Sequence, residues 1–150
     1  MNPPLVRSST EPTDTTSDSS SGPSRLLWVP RVIAAFILGQ TLFFKFTGAP
    51  ESIHIFETLG AEPAGRIGSG VVELLAVVLL LAPLGRGSLA LGGLLTCGTM
   101  LGAIGSHLGP LGIDVQGDGG LLFGLAVVTL LCGLVVTWAT RDSLPLLGSR

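Results

Sequence analysis

Long apolar runs separated by short polar stretches dominate this chain from residue 28 onward. Four runs, at about 28–46, 66–84, 88–111 and 119–140, each have about the length that a helix needs to cross a bilayer. Within the runs the apolar residues come in blocks and lack the spacing of an amphipathic surface helix. The pattern predicts an all-α integral membrane protein, with a bundle of four transmembrane helices forming one membrane domain at residues 28–141.

The polar stretch between the first two runs predicts a further short helix. Pro50 suits the first turn of a helix, and Gly60 suits the position just after its end. Ile53, Phe56 and Leu59, together with Ile55, form an apolar side at helical spacing. Two turns are marginally stable alone, so we expect this helix to rest on the bundle or on the bilayer surface, as an interfacial or re-entrant helix.

Composition supports a membrane location. Only 12% of the 150 residues are charged and the mean hydropathy is +0.67, whereas about 25% of an average soluble domain is charged. A soluble chain with so few charges could not cover its own surface. The net charge of −2 and the lack of a basic patch indicate no nucleic-acid partner. The lipid bilayer is therefore the predicted surrounding.

The two ends of the chain differ from this domain. The first 24 residues hold eleven Ser or Thr and four Pro, so they cannot bury enough apolar surface to offset the entropy of ordering. We expect a disordered tail at 1–27 and a second, short tail at 142–150.

The basic residues predict the orientation in the membrane. An even number of spans places both tails on one side, and positive charge is retained on the cytoplasmic side. The side of the tails would hold Arg7, Arg25, Arg31, Arg86, Arg141 and Arg150, and the opposite side only Lys45 and Arg66. We therefore predict a multi-pass protein of the bacterial inner membrane with both termini cytoplasmic.

Glu73 is the most unusual residue of the apolar runs. The second run has eleven Ile, Val or Leu residues, at roughly −0.3 to −0.6 kcal/mol each for insertion, against about +2.5 to +3.5 kcal/mol for one central charge. The run therefore inserts despite Glu73, about 10 Å below its outer end at Arg66. Small neighbours on its helix face place Glu73 inside the bundle. There it is either a structural hydrogen-bonding anchor or part of a functional site.

Three further polar residues lie near the same outer side. Lys45 ends the first run, His107 lies near the end of the third and Asp118 precedes the fourth. One hypothesis is a polar pocket of Lys45, Glu73, His107 and Asp118 that opens to the outer face. In the simpler alternative, Lys45 and Arg66 extend to the lipid headgroups. His107 would then face headgroups too, since it points about 180° from a glycine stripe on its own helix.

That stripe is a candidate packing surface. Its members are Gly98, Gly102, Gly105 and Gly109, at steps of four, three and four residues. Small residues at this spacing allow two helix backbones to approach closely. The stripe therefore predicts a helix–helix interface.

Several segments around Lys45 and Glu73 resemble the DoxX family of small prokaryotic membrane proteins, over about residues 31–140. The segments are QTLFFKFTGAPES at 40–52, IFETLG at 55–60, GRIGSGVVEL at 65–74, GAIGSHL at 102–108 and DGG at 118–120. The resemblance implies a four-helix membrane bundle. The family is named after a subunit of a thiosulfate:quinone oxidoreductase, and some members are linked to oxidative-stress or thiol systems. No catalytic signature of the family is transferred to residues of this chain.

The sequence supports one hypothesis about function and leaves two alternatives open. No metal-ligand spacing, catalytic triad or nucleotide-binding fingerprint occurs in the sequence. We expect a redox-associated or structural membrane subunit whose pocket at Lys45 and Glu73 binds a quinone or a lipid. Redox partner proteins and homo-oligomers are the expected assemblies. The alternatives are a small proton-coupled transporter or permease component, and a membrane enzyme that acts on its own.

Overall fold

Residues 25–143 are described by a computed structural model. Its helices are α1 (Trp28–Thr47), α2 (Pro50–Thr58), α3 (Ala64–Leu81), α4 (Arg86–Leu108) and α5 (Leu121–Thr140), flanked by the 3-10 turns Arg25–Leu27 and Arg141–Ser143. The described range contains no strand, and α1, α3, α4 and α5 are long and apolar enough to cross a membrane. The predicted fold class is confirmed, including the short helix α2. Of the predicted tails at 1–27 and 142–150, residues 25–27 and 142–143 belong to the 3-10 turns, and residues 1–24 and 144–150 lie outside the described residues.

The four long helices form a ring. Helix α1 packs on α3 and α5, and α4 packs on the same two helices. Helices α1 and α4 therefore lie diagonally across the bundle. The end that holds α2 and the 109–120 loop is called the α2 end below. The opposite end is called the arginine end, because Arg31, Arg86 and Arg141 lie there.

The surface of the bundle is apolar where a soluble protein would be polar. Large side chains such as Phe36, Leu101 and Leu131 are more than half exposed. The interior is a compact cluster of Ala34, Leu38, Ala76, Leu80, Leu89, Met100, Ala126 and Val136. Apolar residues on both the inside and the outside of a bundle indicate that its surroundings are lipid. The chain has the architecture of a multi-pass membrane protein.

The observed spans differ from the predicted ones by up to three residues. Helix α3 ends at Leu81 instead of residue 84, because a residue before proline is pushed out of the helical conformation and Pro83 follows Ala82. Helix α2 begins at Pro50 and stops before Gly60, which has a φ of 65°. Glycine adopts this left-handed conformation without steric cost, so Gly60 ends the helix as predicted.

The predicted glycine interface is wrong for contacts within the bundle. Gly98, Gly102 and Gly105 are exposed, and an added Cβ would meet nothing within 4 Å at any of them; Gly109 is exposed as well. The close approaches occur at Gly92 against α3, and at Gly93 and Gly133 between α4 and α5. The prediction used only the spacing of the glycines along α4. The packing depends instead on which side of α4 the neighbouring helices cover.

Candidate functional site

The centre of the candidate site is an ion pair between α1 and α3. Lys45 Nζ lies 2.5 Å from Glu73 Oε1, and the two side chains are 14% and 4% exposed. The Thr41 hydroxyl, one helical turn before Lys45, lies 3.0 Å from Glu73 Oε2 and 2.8 Å from the backbone carbonyl of Leu38, and it shares its one proton between these two acceptors. Lys45 is therefore the main partner of the carboxylate, as a charge in this environment requires. The structure thus joins two of the four predicted pocket residues.

A second ion pair lies next to the first. Arg66 Nε is 2.9 Å from both carboxylate oxygens of Glu62, and Arg66 Nη2 is 2.7 Å from Oε1. The Arg66 side chain is only 10% exposed, so it does not extend to the lipid headgroups. Glu62 lies in the turn before α3 and Arg66 in its first turn, so a carboxylate meets the start of a helix here.

Arg66 also connects the second pair to the first. Its Nη1 donates to the backbone carbonyl of Lys45. That carbonyl belongs to the last turn of α1, where the helix supplies no further backbone donors. Arg66 therefore fixes the end of α1 against the start of α3, which determines the position of the Lys45 side chain.

Helix α2 covers the Lys45 side of the site. The Phe56 ring lies 5.6 Å from Lys45 Nζ, a distance at which a cation is attracted to the ring face. Ile53, Ile55 and Leu59 are half-buried, whereas His54 and Glu57 are exposed. This is the predicted apolar side of α2. It leaves an amphipathic helix above a buried ion pair.

His107 has other contacts than this ion pair, and the alternative in which it faces the lipid headgroups is wrong. It is buried, with Nδ1 2.9 Å from the carbonyl of Gly112 and its ring edge-on to Phe123 at 5.9 Å. Because the glycine stripe faces outward, the opposite side of α4 faces the bundle. Met100 and His107, seven residues apart, lie on that buried side. Their spacing is the signal that could have placed His107 inside.

Asp118 is also separate from the ion pair and stabilises a loop. Its carboxylate accepts hydrogen bonds from the backbone N–H groups of Val115, Gly120 and Leu122, at 2.8–2.9 Å. Leu122 belongs to the first turn of α5, whose free N–H groups favour a nearby carboxylate. These bonds, led by that of Leu122, hold the pKa of Asp118 below its ordinary value.

Replacing Asp118 with alanine is expected to destabilise the protein by about 1 kcal/mol at neutral pH, as for the loss of a helix cap. A lowered pKa means that the contribution of Asp118 is complete above the unfolded value of about 3.9 and is lost as the pH falls through the folded value. Thermal unfolding in detergent between pH 7 and pH 2.5 measures this. The loss of stability between pH 7 and pH 2.5 should be smaller in Asp118→Ala than in the wild type. Asp114→Ala removes the acceptor of the Gly119 N–H group and one of the smaller causes of the lowered Asp118 pKa, so it should have the same direction and a smaller effect.

The ammonium group of the ion pair has N–H donors that Glu73 does not use. An ammonium group has three N–H donors, and among the described residues Glu73 is the hydrogen-bond partner of Lys45 Nζ. The remaining donors can bind a carbonyl or another oxygen acceptor. The pair is thus both a structural contact and a potential donor site. Thr41, Phe56 and Arg66 contact it, and none of the three was a predicted pocket residue.

Comparison of the chain with protein families, curated proteins and solved structures gives no match. The interpretation of the site therefore depends on its own geometry.

Proposed function

We propose that this protein is a membrane subunit that binds the head of a quinone at the Lys45–Glu73 pair. The observation that carries the proposal is that the ion pair is nearly buried between two membrane helices while Lys45 keeps unused donors. A quinone carbonyl accepts hydrogen bonds, and its apolar tail is soluble in the bilayer. Phe56 adds an aromatic face close to the ammonium group.

The chain's own residues would bind and orient the ring. Lys45 would donate to a carbonyl oxygen, while Glu73, held by Thr41, keeps the ammonium in place. Reduction of a quinone consumes two electrons and two protons, and we assign the electron source to a partner redox protein. This role agrees with the resemblance to the DoxX family, which remains a prediction, as do the bacterial inner membrane and the cytoplasmic termini.

Transport has less support than binding within one chain. A proton-coupled permease needs polar groups across the membrane. Beyond Glu73, towards the arginine end, α3 contributes Ala76 and Leu80 to the apolar cluster. The buried hydroxyls of Thr96 and Thr129 donate to carbonyls of their own helices. Among residues 25–143 these contacts outline no polar path, which favours a binding site at one end.

The test is thermal unfolding of the full chain in mild detergent, with and without decylubiquinone. A ligand at 100 times its dissociation constant stabilises the folded state by about 2.7 kcal/mol, which corresponds to a rise in Tm of roughly 5–10 °C for a chain of this size. The double variant Lys45→Met/Glu73→Gln lacks the donor without leaving an unpaired charge. We expect it to fold and to show no response to the quinone. Lys45→Arg keeps the charge and donors and should retain a response.

Two results would contradict quinone binding. In one, decylubiquinone leaves the wild-type Tm unchanged, while the single variants are destabilised and the double variant recovers. The pair would then be purely structural. In the other, a decyl-chain amphiphile without the quinone ring raises the Tm equally in the wild type and the double variant, which would identify binding of the tail alone.

A further inference from the structure

The arginine end, opposite the proposed quinone site, carries a different kind of charge. In the described part of the chain this end has Arg25, Arg31, Arg86 and Arg141, against a single acid, Asp142. Asp142 lies 3.8 Å from Arg141, and both side chains are more than half exposed. The α2 end, in contrast, neutralises its two basic residues with Glu62 and Glu73. The arginine end therefore has an excess of positive charge.

Arg31 is the most constrained of these residues. It is 1% exposed, its Nε donates to the carbonyl of Leu80 at 2.7 Å, and the Trp28 ring lies 4.0 Å from the guanidinium carbon. Its Nη2 is buried and has no acceptor among the described residues. A guanidinium stays charged under all ordinary conditions. A buried charge without a counter-charge is costly, so this corner of the bundle favours an anion.

A cleft lies at the same corner. It has a volume of about 170 Å³ and is lined by Pro83, Gly85, Arg86 and Leu89, at the turn between α3 and α4. Arg31 does not line the cleft, but Leu80, whose carbonyl binds Arg31, lies three residues before Pro83 of the lining. The volume is several times the ~30 Å³ share of one water molecule. A phosphodiester group therefore fits.

The lining of the cleft indicates what kind of anion it takes. One wall carries the exposed Arg86, whose Nη2 donates to the carbonyl of Ala139 at 3.4 Å and whose other donors remain for an anion, while Pro83 and Leu89 are apolar. Leu84, at the tip of the turn, is 98% exposed. A free phosphate ion makes no use of apolar walls, whereas a phospholipid places its phosphate beside the charge and its acyl chains along them. Trp28 lies at the same level, as tryptophan commonly does at a membrane interface.

We propose that the arginine end holds an anionic glycerophospholipid, with its phosphate at Arg86 in the cleft and its negative charge balancing Arg31. Clefts with basic residues between membrane helices are suited to such headgroups. The site is independent of the Lys45–Glu73 pair. It ties the protein to the leaflet that contains anionic lipid at that end.

The test is native mass spectrometry of the full chain, released from detergent after titration with phosphatidylglycerol or phosphatidylcholine. We expect one phosphatidylglycerol to bind in preference to phosphatidylcholine. Removing one positive charge near a headgroup, as in Arg86→Gln, should weaken phosphatidylglycerol binding about fivefold. Arg31→Lys keeps the balancing charge and should weaken binding by less than twofold. Arg141→Gln is the matched control, because Arg141 is exposed at the same end, over Trp138 and near Asp142. Its affinity should change by less than twofold.

Several outcomes would overturn the proposal. Equal binding of the two lipids would show that the charge is not recognised. An equal loss in Arg86→Gln and Arg141→Gln would indicate diffuse attraction to the whole end without a built site. Competition by millimolar inorganic phosphate as effective as that of phosphatidylglycerol would identify a free-anion site. If Arg31→Lys does not fold, the comparison of Arg86→Gln with Arg141→Gln still decides.

Discussion

Replacing Glu73 with glutamine is expected to lower the free energy of unfolding by about 3–5 kcal/mol, because it leaves the Lys45 ammonium buried without a counter-charge. For a chain of this size the corresponding fall in Tm is on the order of 10 °C. Thermal unfolding in detergent, or reversible denaturation in mixed micelles, gives the value. The carboxylate holds both Lys45 and Thr41, so glutamine also weakens the second contact.

The double variant Lys45→Met/Glu73→Gln separates the stability that comes from the Lys45–Glu73 interaction from the stability that each side chain contributes alone. Replacing both members of a buried pair with uncharged groups of similar size is often close to neutral. We expect the double variant to recover most of the stability, giving a coupling energy well above 1 kcal/mol in the double-mutant cycle. Additive losses in the two single variants would contradict the contact between α1 and α3. They would also remove the basis of the proposed quinone site.

Replacing Gly93 with valine is expected to destabilise the bundle by about 1–3 kcal/mol through overpacking. An added Cβ would lie 2.5 Å from the Thr137 hydroxyl, and 3.1 Å and 3.2 Å from backbone atoms of Thr137 and Gly133. The hydroxyl can rotate away, but the backbone of α5 must shift as a unit. Thermal unfolding of the variant measures the effect.

Gly102→Val is the matched control for this prediction. It makes the same change on the same helix, at an exposed position where an added Cβ meets nothing within 4 Å. Valine is a better helix former than glycine, so the monomeric bundle should keep or slightly gain stability. A large loss in Gly102→Val would show that the exposed stripe is packed after all. If the loss comes with a smaller oligomer in size-exclusion chromatography, the packing partner is a second copy of the chain.

The two ends of the bundle neutralise charge by different means. At the α2 end, Lys45 and Arg66 have carboxylate partners supplied by the same chain. At the arginine end, the partners of Arg31 among residues 25–143 are a carbonyl and the face of an indole ring. A self-compensated end can accept a neutral quinone ring, whereas an uncompensated end favours an anionic headgroup. The quinone and lipid proposals therefore depend on separate observations and can fail separately.

Some residues of the site could be predicted from the sequence and others could not. Glu73 was recognisable because a carboxylate inside an apolar run must have a partner. Lys45 was the candidate partner because it ends the first run on the same outer side. Thr41 and Phe56 carried no such signal, since a threonine or a phenylalanine in these positions is ordinary. The roles of His107 and Asp118 depended on which side of α4 faces inward and on how the 109–120 loop closes.

Local hydropathy, with proline and glycine at helix ends, was enough to predict the fold class, the four spans and the amphipathic α2, because none of these depends on distant residues. Hydropathy did not predict that Lys45 meets Glu73, that Gly93 and not Gly102 contacts a neighbouring helix, or that His107 faces inward. The physical reason is that lipid and protein interior are both apolar, so hydropathy cannot show how each helix is rotated about its axis. Close packing between the helices sets that rotation.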